Sequence, residues 1–211
     1  MIRVVVADDH SIVRQGLSRV IALASDIELV GEARDGWETL ELARKGGFDL
    51  LLTDMSMPGP NGPELVKRVR SEKPELPILV LSMHGESQIA SRAIKAGASG
   101  YLTKDSDPEM LLDAIRRCAS GGHFIEPELA SRLVFEGGSA SPGGSHTRLS
   151  DREFQIFLLL AQGVGVNEIA EKMNISPKTV STHKFRLMQK MSFESLSELV
   201  RYALKHELIE S

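Results

Sequence analysis

The chain has 211 residues, enough for one or two domains, and its 42% hydrophobic and 26% charged content is that of an ordinary globular protein. No apolar run nears the roughly 18–20 residues that span a bilayer, Arg3, Asp8 and Asp9 interrupt any signal-peptide core, and the lone Cys118 excludes an intrachain disulfide, so a cytoplasmic protein with no membrane partner is expected. The net charge of −4 excludes a chain that is basic throughout: residues 1–130 carry 15 Lys/Arg and 20 Asp/Glu (−5), whereas residues 148–211 carry 9 and 8 (+1).

Short apolar runs at 2–7, 27–33, 49–53, 77–82 and 99–102 have the length and β-branched content of strands. Several lack strict alternation, as strands covered on both faces do. Helical patterns lie between them at 11–24, 36–46, 61–72, 85–96 and 107–120, with Ser11 as the expected cap of the first and Asp107-Pro108 opening the last. Five β/α repeats predict an α/β, flavodoxin-like domain of five parallel strands in the order 2-1-3-4-5, over residues 1–122.

Residues 123–147 are expected to form a connection with a short helix at 127–136, starting near Pro127. The stretch GGSASPGGSHT at 137–147 is expected to be a flexible linker. From 148 to 211 the pattern becomes all-α. LSDREFQIFLLLAQG has Ser150 as a cap, Glu153 three residues later as in a capping box, and Gly163 as a stop. VNEIAEKM, the turn NIS and a helix opening Ser176-Pro177 follow, then a fourth helix over SLSELVRYALKHEL. Two short helices joined by a tight turn match a helix-turn-helix.

Polar groups gather at the C-terminal ends of the predicted parallel strands, where open α/β sheets bind ligands. Asp8 and Asp9 follow strand 1, Asp54 ends strand 3, Ser82 ends strand 4 and Lys104 follows strand 5. Like charges so placed require a counter-charge. Hard carboxylate oxygens favour Mg²⁺, which takes one or two carboxylates together with phosphate oxygens. A remaining carboxylate can then act as a nucleophile toward phosphorus, with Lys104 and Ser82 neutralising charge on the transferred group.

These residues carry a resemblance. VVVADDH, TDMSMPG, VLSMH and YLTK resemble the receiver domain of two-component response regulators, over about residues 1–120. The resemblance implies phosphorylation of Asp54 by a sensor histidine kinase or a small phosphodonor. It also implies Mg²⁺ held by Asp9, Asp54 and the Ser56 carbonyl, with Asp8 acting through water. Ser82 and Tyr101 match the family's hydroxyl and aromatic switch positions. Position 82 is Ser where Thr is common, and Lys104 is followed by Asp105 where many receivers have proline. Tyr101 is equally a tyrosine that simply packs its ring. His10 reads as a solvent-facing residue at a helix start, His84 as a residue near the site that influences water access, and Cys118 as a packed helix face.

Within residues 172–190, Lys172, Lys178, Lys184, Arg186 and Lys190 occur with no acid among them, a patch suited to phosphates. At 100° per residue, Val180, Leu187 and Met191 share one side of the helix from Pro177, with Lys184 and Met188 at its edges. Lys178, Thr182, Phe185, Arg186 and Gln189 face the other way, flanked by Ser181. Phe185 is either a thymine-methyl contact in the major groove or a docking aromatic. Lys178, Lys184, Arg186 and Lys190 suit phosphate contacts that position without reading sequence.

Residues 148–208 resemble the LuxR-type helix-turn-helix, with Glu153, Asn167, Glu168, Ile169, Ala170, Thr179, Val180, His183 and Lys190 on its pattern and Ser181 where lysine is frequent. The whole chain therefore resembles a NarL/FixJ-family response regulator. That resemblance implies a phosphorylation-controlled bacterial transcription regulator, not an enzyme beyond slow autophosphorylation and autodephosphorylation. Its partners would be double-stranded promoter DNA, a second copy of itself on activation, and RNA polymerase. Two other readings fit the residues: a small-molecule phosphatase at the acidic site, and a DNA-binding protein whose receiver only docks.

Overall fold

The computed structural model describes residues 1–83, 87–138, 145–206 and 208–209, in two compact units, Met1–Phe135 and Glu136–Ser211. The expectation for His84 and most of the 137–147 linker falls outside the described residues. In the first unit β1 (Ile2–Ala7), β2 (Ile27–Ala33), β3 (Leu50–Asp54), β4 (Ile78–Ser82) and β5 (Gly100–Thr103) alternate with α1 (Ser11–Ala22), α2 (Gly36–Lys45), α3 (Gly62–Glu72), α4 (Ser87–Ala96) and α5 (Pro108–Ala119). Every strand pairing is parallel, in the order β2-β1-β3-β4-β5-β6.

The sheet therefore has six strands, not five. The extra one, β6 (Phe124–Ile125), pairs with Gly100 and Tyr101 of β5 after a turn through Gly121, whose φ is +84°. Two residues are too few to show a period in sequence.

Burial follows position in the sheet. β3 and β4 are buried throughout, while edge strand β2 alternates. Val4, Val6, Leu50, Leu52, Leu79 and Leu81 form one face of the core with Ile21 of α1 and Leu111, Ile115 and Cys118 of α5. Cys118 is thus a packing residue, and burial pushes its thiol pKa up to about 11. The order reverses between β1 and β3, so the crevice at their C-terminal ends is the topological switch point.

Helix α1 departs from expectation at its start. Its N-cap is His10, not Ser11, and no side chain caps it. Asp8 Oδ1 accepts the His10 N–H at 2.8 Å, turning the chain one residue earlier.

α6 (Pro127–Gly138) belongs to the first unit up to Phe135. The second unit comprises a 3₁₀ turn (Ser145–Arg148) and α7 (Asp151–Ala161), α8 (Val166–Met173), α9 (Pro177–Met191) and α10 (Leu196–Lys205). The turn draws the end of the expected linker into the core. His146 is fully buried, with Nδ1 2.6 Å from the Tyr202 hydroxyl. The capping box of α7 is present, and Ser176 accepts the Thr179 N–H at 3.1 Å at the start of α9. Asn174, at φ +50°, makes the tight turn between α8 and α9.

Candidate functional site

β1 and β3 bring Asp8 and Asp54 side by side at the switch point, only 1% and 5% exposed. Lys104, just beyond β5, closes the pair. Its Nζ lies 2.6 Å from Asp8 Oδ2 and 3.0 Å from Asp54 Oδ1. The loop geometry fixes this reach, because the Lys104 N–H donates to the Ser82 carbonyl at 2.8 Å. The Lys104–Asp105 peptide is trans. Ser56 N–H donates to Asp54 Oδ2 at 3.2 Å. Ser82 is buried at the end of β4, and its backbone pairs with Thr103.

Burial raises the Asp54 pKa above the ordinary aspartate range, against the pull of Lys104, and the neighbouring Asp8 adds to the rise. Burial works against charge on Lys104 too, yet Asp54 and Asp8 together hold its pKa above the usual lysine value.

Asp9 stands at the rim with its side chain 31% exposed, and His10 Nδ1 lies 3.0 Å from its Oδ1 and 3.4 Å from Asp8 Oδ1. His10 is exposed, as expected, but it faces both acids. Tyr101 is fully buried in β5, opposite Val80 of β4.

In the second unit α9 turns Val180, Leu187 and Met191 into the core and leaves Lys178, Thr179, Ser181, Thr182, Phe185, Arg186, Gln189 and Lys190 exposed, with Lys184 half-buried. Phe185 is 63% exposed. Thr179 and Thr182 are partly engaged locally, Thr179 Oγ1 with Ser176 Oγ at 2.8 Å and Thr182 Oγ1 with the Lys178 carbonyl at 2.9 Å. Lys190 Nζ lies 2.6 Å from Glu153 Oε2 of α7.

Residues 4–116 match the response regulator receiver domain family, and residues 147–203 match the luxR family of bacterial regulatory proteins. The chain belongs to the NarL/FixJ family of response regulators. It is 35% identical to the response regulator UvrY of Escherichia coli K12, over 99% of this chain and 96% of that one. It is 37% identical to the oxygen regulatory protein NreC of Staphylococcus carnosus, over 99% of both chains. Among solved structures it is similar to RcsB of Salmonella enterica serovar Typhimurium bound to promoter rprA in the presence of phosphomimetic BeF3⁻. That likeness has a TM-score of 0.68 at 31% identity and covers 96% of this chain and 98% of the other.

A response regulator of this kind is a two-component transcription regulator rather than an enzyme in the ordinary sense. No described helix is long and apolar enough to cross a membrane.

The pocket of this response regulator fits a hard divalent cation. Asp8 and Asp54 lie against the ammonium of Lys104 and offer oxygen donors, and Asp9 sits beside Asp8 at the rim. Asp8, Asp9 and His10 also offer ligand atoms within 4.8 Å of one another.

Sequence reading missed several residues around the site. Arg14 Nη1 donates to the Asp8 carbonyl at 2.7 Å, and its position on α1 gave no signal beyond helical spacing. Trp37, the sole tryptophan, lies against Gly59 of the β3–α3 loop with Arg68 over its ring at 5.6 Å. Glu126 accepts a hydrogen bond from Thr103 Oγ1 at 3.1 Å.

Proposed function

We propose that Asp54 is the phosphoacceptor and that its phosphorylation controls binding of promoter DNA through α9. The observation that carries this reading is the bridge from Lys104 to both Asp54 and Asp8, deep in the β1/β3 crevice. A carboxylate oxygen of Asp54 attacks the phosphorus of a phosphohistidine on a sensor kinase. The new O–P bond forms as the P–N bond breaks, and the imidazole leaves with its electron pair. Lys104 and the Ser82 hydroxyl stabilise charge on the transferred oxygens. Asp9, Asp54 and the Ser56 carbonyl would hold Mg²⁺, with Asp8 acting through water, and the ion would neutralise charge on the phosphoryl group. Autophosphorylation from small donors and hydrolysis of the acyl phosphate are slow side activities of this site.

Phosphorylation shifts a pre-existing equilibrium toward a dimer competent for DNA. Tyr101 acts as the aromatic switch, with its buried position as one of the two states. In the receiver (1–122), connection (123–147) and DNA-binding domain (148–211), α9 is the element for the major groove. Lys178, Thr179, Ser181, Thr182, Lys184, Phe185, Arg186, Gln189 and Lys190 supply its contacts, which bring RNA polymerase under control at cytoplasmic promoters.

The test is incubation of wild type and Asp54→Asn with a small phosphodonor and Mg²⁺. Wild type is expected to gain phosphate that base and hydroxylamine release, and a tighter complex with paired half-sites. Equal labelling of Asp54→Asn, or none in wild type, overturns the reading.

A further inference from the structure

The chain enters α6 beside the loop that carries Lys104. β6 runs parallel to Gly100 and Tyr101, and the Phe124 N–H donates to the Ser99 carbonyl at 3.2 Å. Glu126 follows β6 directly, and its carbonyl accepts the Ala130 N–H at 2.8 Å, which makes it the root of α6. The Glu126 side chain turns back to the Lys104 loop. Its Oε2 is 3.1 Å from Thr103 Oγ1 and 3.4 Å from Ser106 Oγ, and those two hydroxyls are 3.1 Å apart. Thr103 immediately precedes Lys104 and Ser106 follows two positions later. Hydroxyls on both sides of Lys104 thus converge on one carboxylate oxygen at the start of α6.

We propose that Glu126, through Thr103 and Ser106, is the latch by which the Lys104 loop and α6 sense each other. The proposal rests on the reading of Asp54 as phosphoacceptor. Lys104 Nζ spans Asp8 and Asp54 in this structure. A phosphoryl group on Asp54 places anionic oxygens beyond the carboxylate, and Lys104 shifts to meet them. Thr103 and Ser106 are held to Lys104 by the chain, so they move with it. Their bonds to Glu126 then break or re-form, and the first turn of α6 follows. The bonds are few and partly exposed, so they can hold two arrangements without unfolding the sheet, as a switch element requires. Glu126 is a positioning residue, since it touches neither acceptor nor donor.

Coupling between two sites is reciprocal and spans roughly 5- to 150-fold in affinity. The experiment uses the full chain, Mg²⁺ with beryllofluoride as the phosphoryl mimic, and a duplex selected from random sequence by the phosphorylated wild type. Two affinities are measured: beryllofluoride with and without the duplex, and the duplex with and without beryllofluoride. In wild type each ligand is expected to tighten the other by the same factor.

In Glu126→Ala and Thr103→Val, beryllofluoride alone binds within about twofold of wild type, the scatter expected of independent sites. The mutual gain with DNA collapses to a similar margin of unity. Glu126→Gln, which keeps an acceptor oxygen and the size of the side chain, retains part of the gain and checks that the others have not merely misfolded. Full wild-type gain in Glu126→Ala overturns the latch and leaves the phosphoacceptor reading intact. Loss of beryllofluoride binding itself in the variants also overturns it, assigning Glu126 to pocket integrity instead. Failure of wild type to bind beryllofluoride, or equal binding by Asp54→Asn, overturns the phosphoacceptor reading and the latch with it.

Discussion

Lys190 on α9 is paired with Glu153 on α7, with Nζ 2.6 Å from Oε2. Glu153 is buried, and the same oxygen accepts the Ser150 N–H at 2.8 Å. One carboxylate therefore closes the α7 capping box and ties down the C-terminal end of α9. Lys190→Met is expected to lower the stability of the second unit by about 1 kcal/mol, below the range of a buried charged hydrogen bond because the ammonium is 42% exposed and solvent-screened. Thermal melts of the intact chain check this, and an unchanged transition for the second unit contradicts it.

Acid should weaken the same unit in two stages. Burial keeps His183 below its ordinary histidine pKa, and its Nδ1 has no hydrogen-bond partner among the described residues. The unfolded chain then takes the proton first, so stability starts to fall as pH drops below about 6.5. Burial opposes ionisation of Glu153, but Lys190 and Ser150 outweigh it and hold its pKa below the ordinary value. Its contribution is complete above about pH 4.3 and is lost as pH falls through the lower folded value. Melting temperature against pH for wild type, His183→Gln and Glu153→Gln separates the stages; a histidine variant that keeps the first one refutes its assignment.

Gly36 and Trp37 back the loop that follows Asp54. The Gly36 N–H donates to the Pro58 carbonyl at 2.9 Å, and a Cβ on Gly36 would fall 1.7 Å from the Pro60 carbonyl oxygen. Gly36→Ala is expected to cost about 1–3 kcal/mol through overpacking and to weaken Mg²⁺ binding, since Ser56 lies in the displaced loop. Trp37→Phe keeps a ring against Gly59 and loses about 0.5–1 kcal/mol of cation–π contact with Arg68. Calorimetric Mg²⁺ titration of Gly36→Ala with wild-type affinity would count against the backing role.

Asp54→Asn should melt higher than wild type in magnesium-free buffer. Burial raises the Asp54 pKa, so the folded state holds that proton more tightly than the unfolded chain does. The associated stability is present at low pH and lost as pH rises through the folded pKa, leaving a penalty at neutrality that Asn removes. Excess Mg²⁺ stabilises wild type by mass action and should leave the variant nearly unmoved. A variant that melts lower without the metal shows that Asp54 helps hold the pocket together instead.

Phe185 and Lys178 should separate base reading from phosphate contact. Phe185→Ala leaves stability within about 0.5 kcal/mol because the ring is 63% exposed. It should cost about 1 kcal/mol of discrimination at one base pair and little elsewhere. Lys178→Ala should weaken all duplexes alike and lower the salt slope by about 1. Competition binding at several salt concentrations decides, and uniform weakening by Phe185→Ala removes it from base readout.

Much of this was legible along the chain. The acids at 8, 9 and 54 and the lysine at 104 lie at the ends of β1, β3 and β5, which hydrophobic runs alone mark out, because each is a local event of four to six residues in a buried sheet. The outward face of α9 followed from helical periodicity in the same way, and the Ser150, Ser176 and Pro177 signals from capping chemistry. Those readings failed where the deciding contact was not local. Asp8 makes the turn that displaces Ser11 from the capping position, and His146 reads as linker in the sequence because a single histidine among small polar residues carries no period.

Local pattern thus settled which longer segments become strands and helices, though not the two-residue β6 or the turn at Ser145–Arg148, and which end of the sheet collects the charged groups, since these depend on spacing within one segment. It could not settle which of those charges touch. The Lys104 bridge to Asp8 spans 96 positions, and the contact of Thr103 with Glu126 spans 23 and exists because a two-residue strand docks on β5. Sheet order and register place these atoms, and both are properties of the packed chain, in which distant segments are held at hydrogen-bond distance by a core they share.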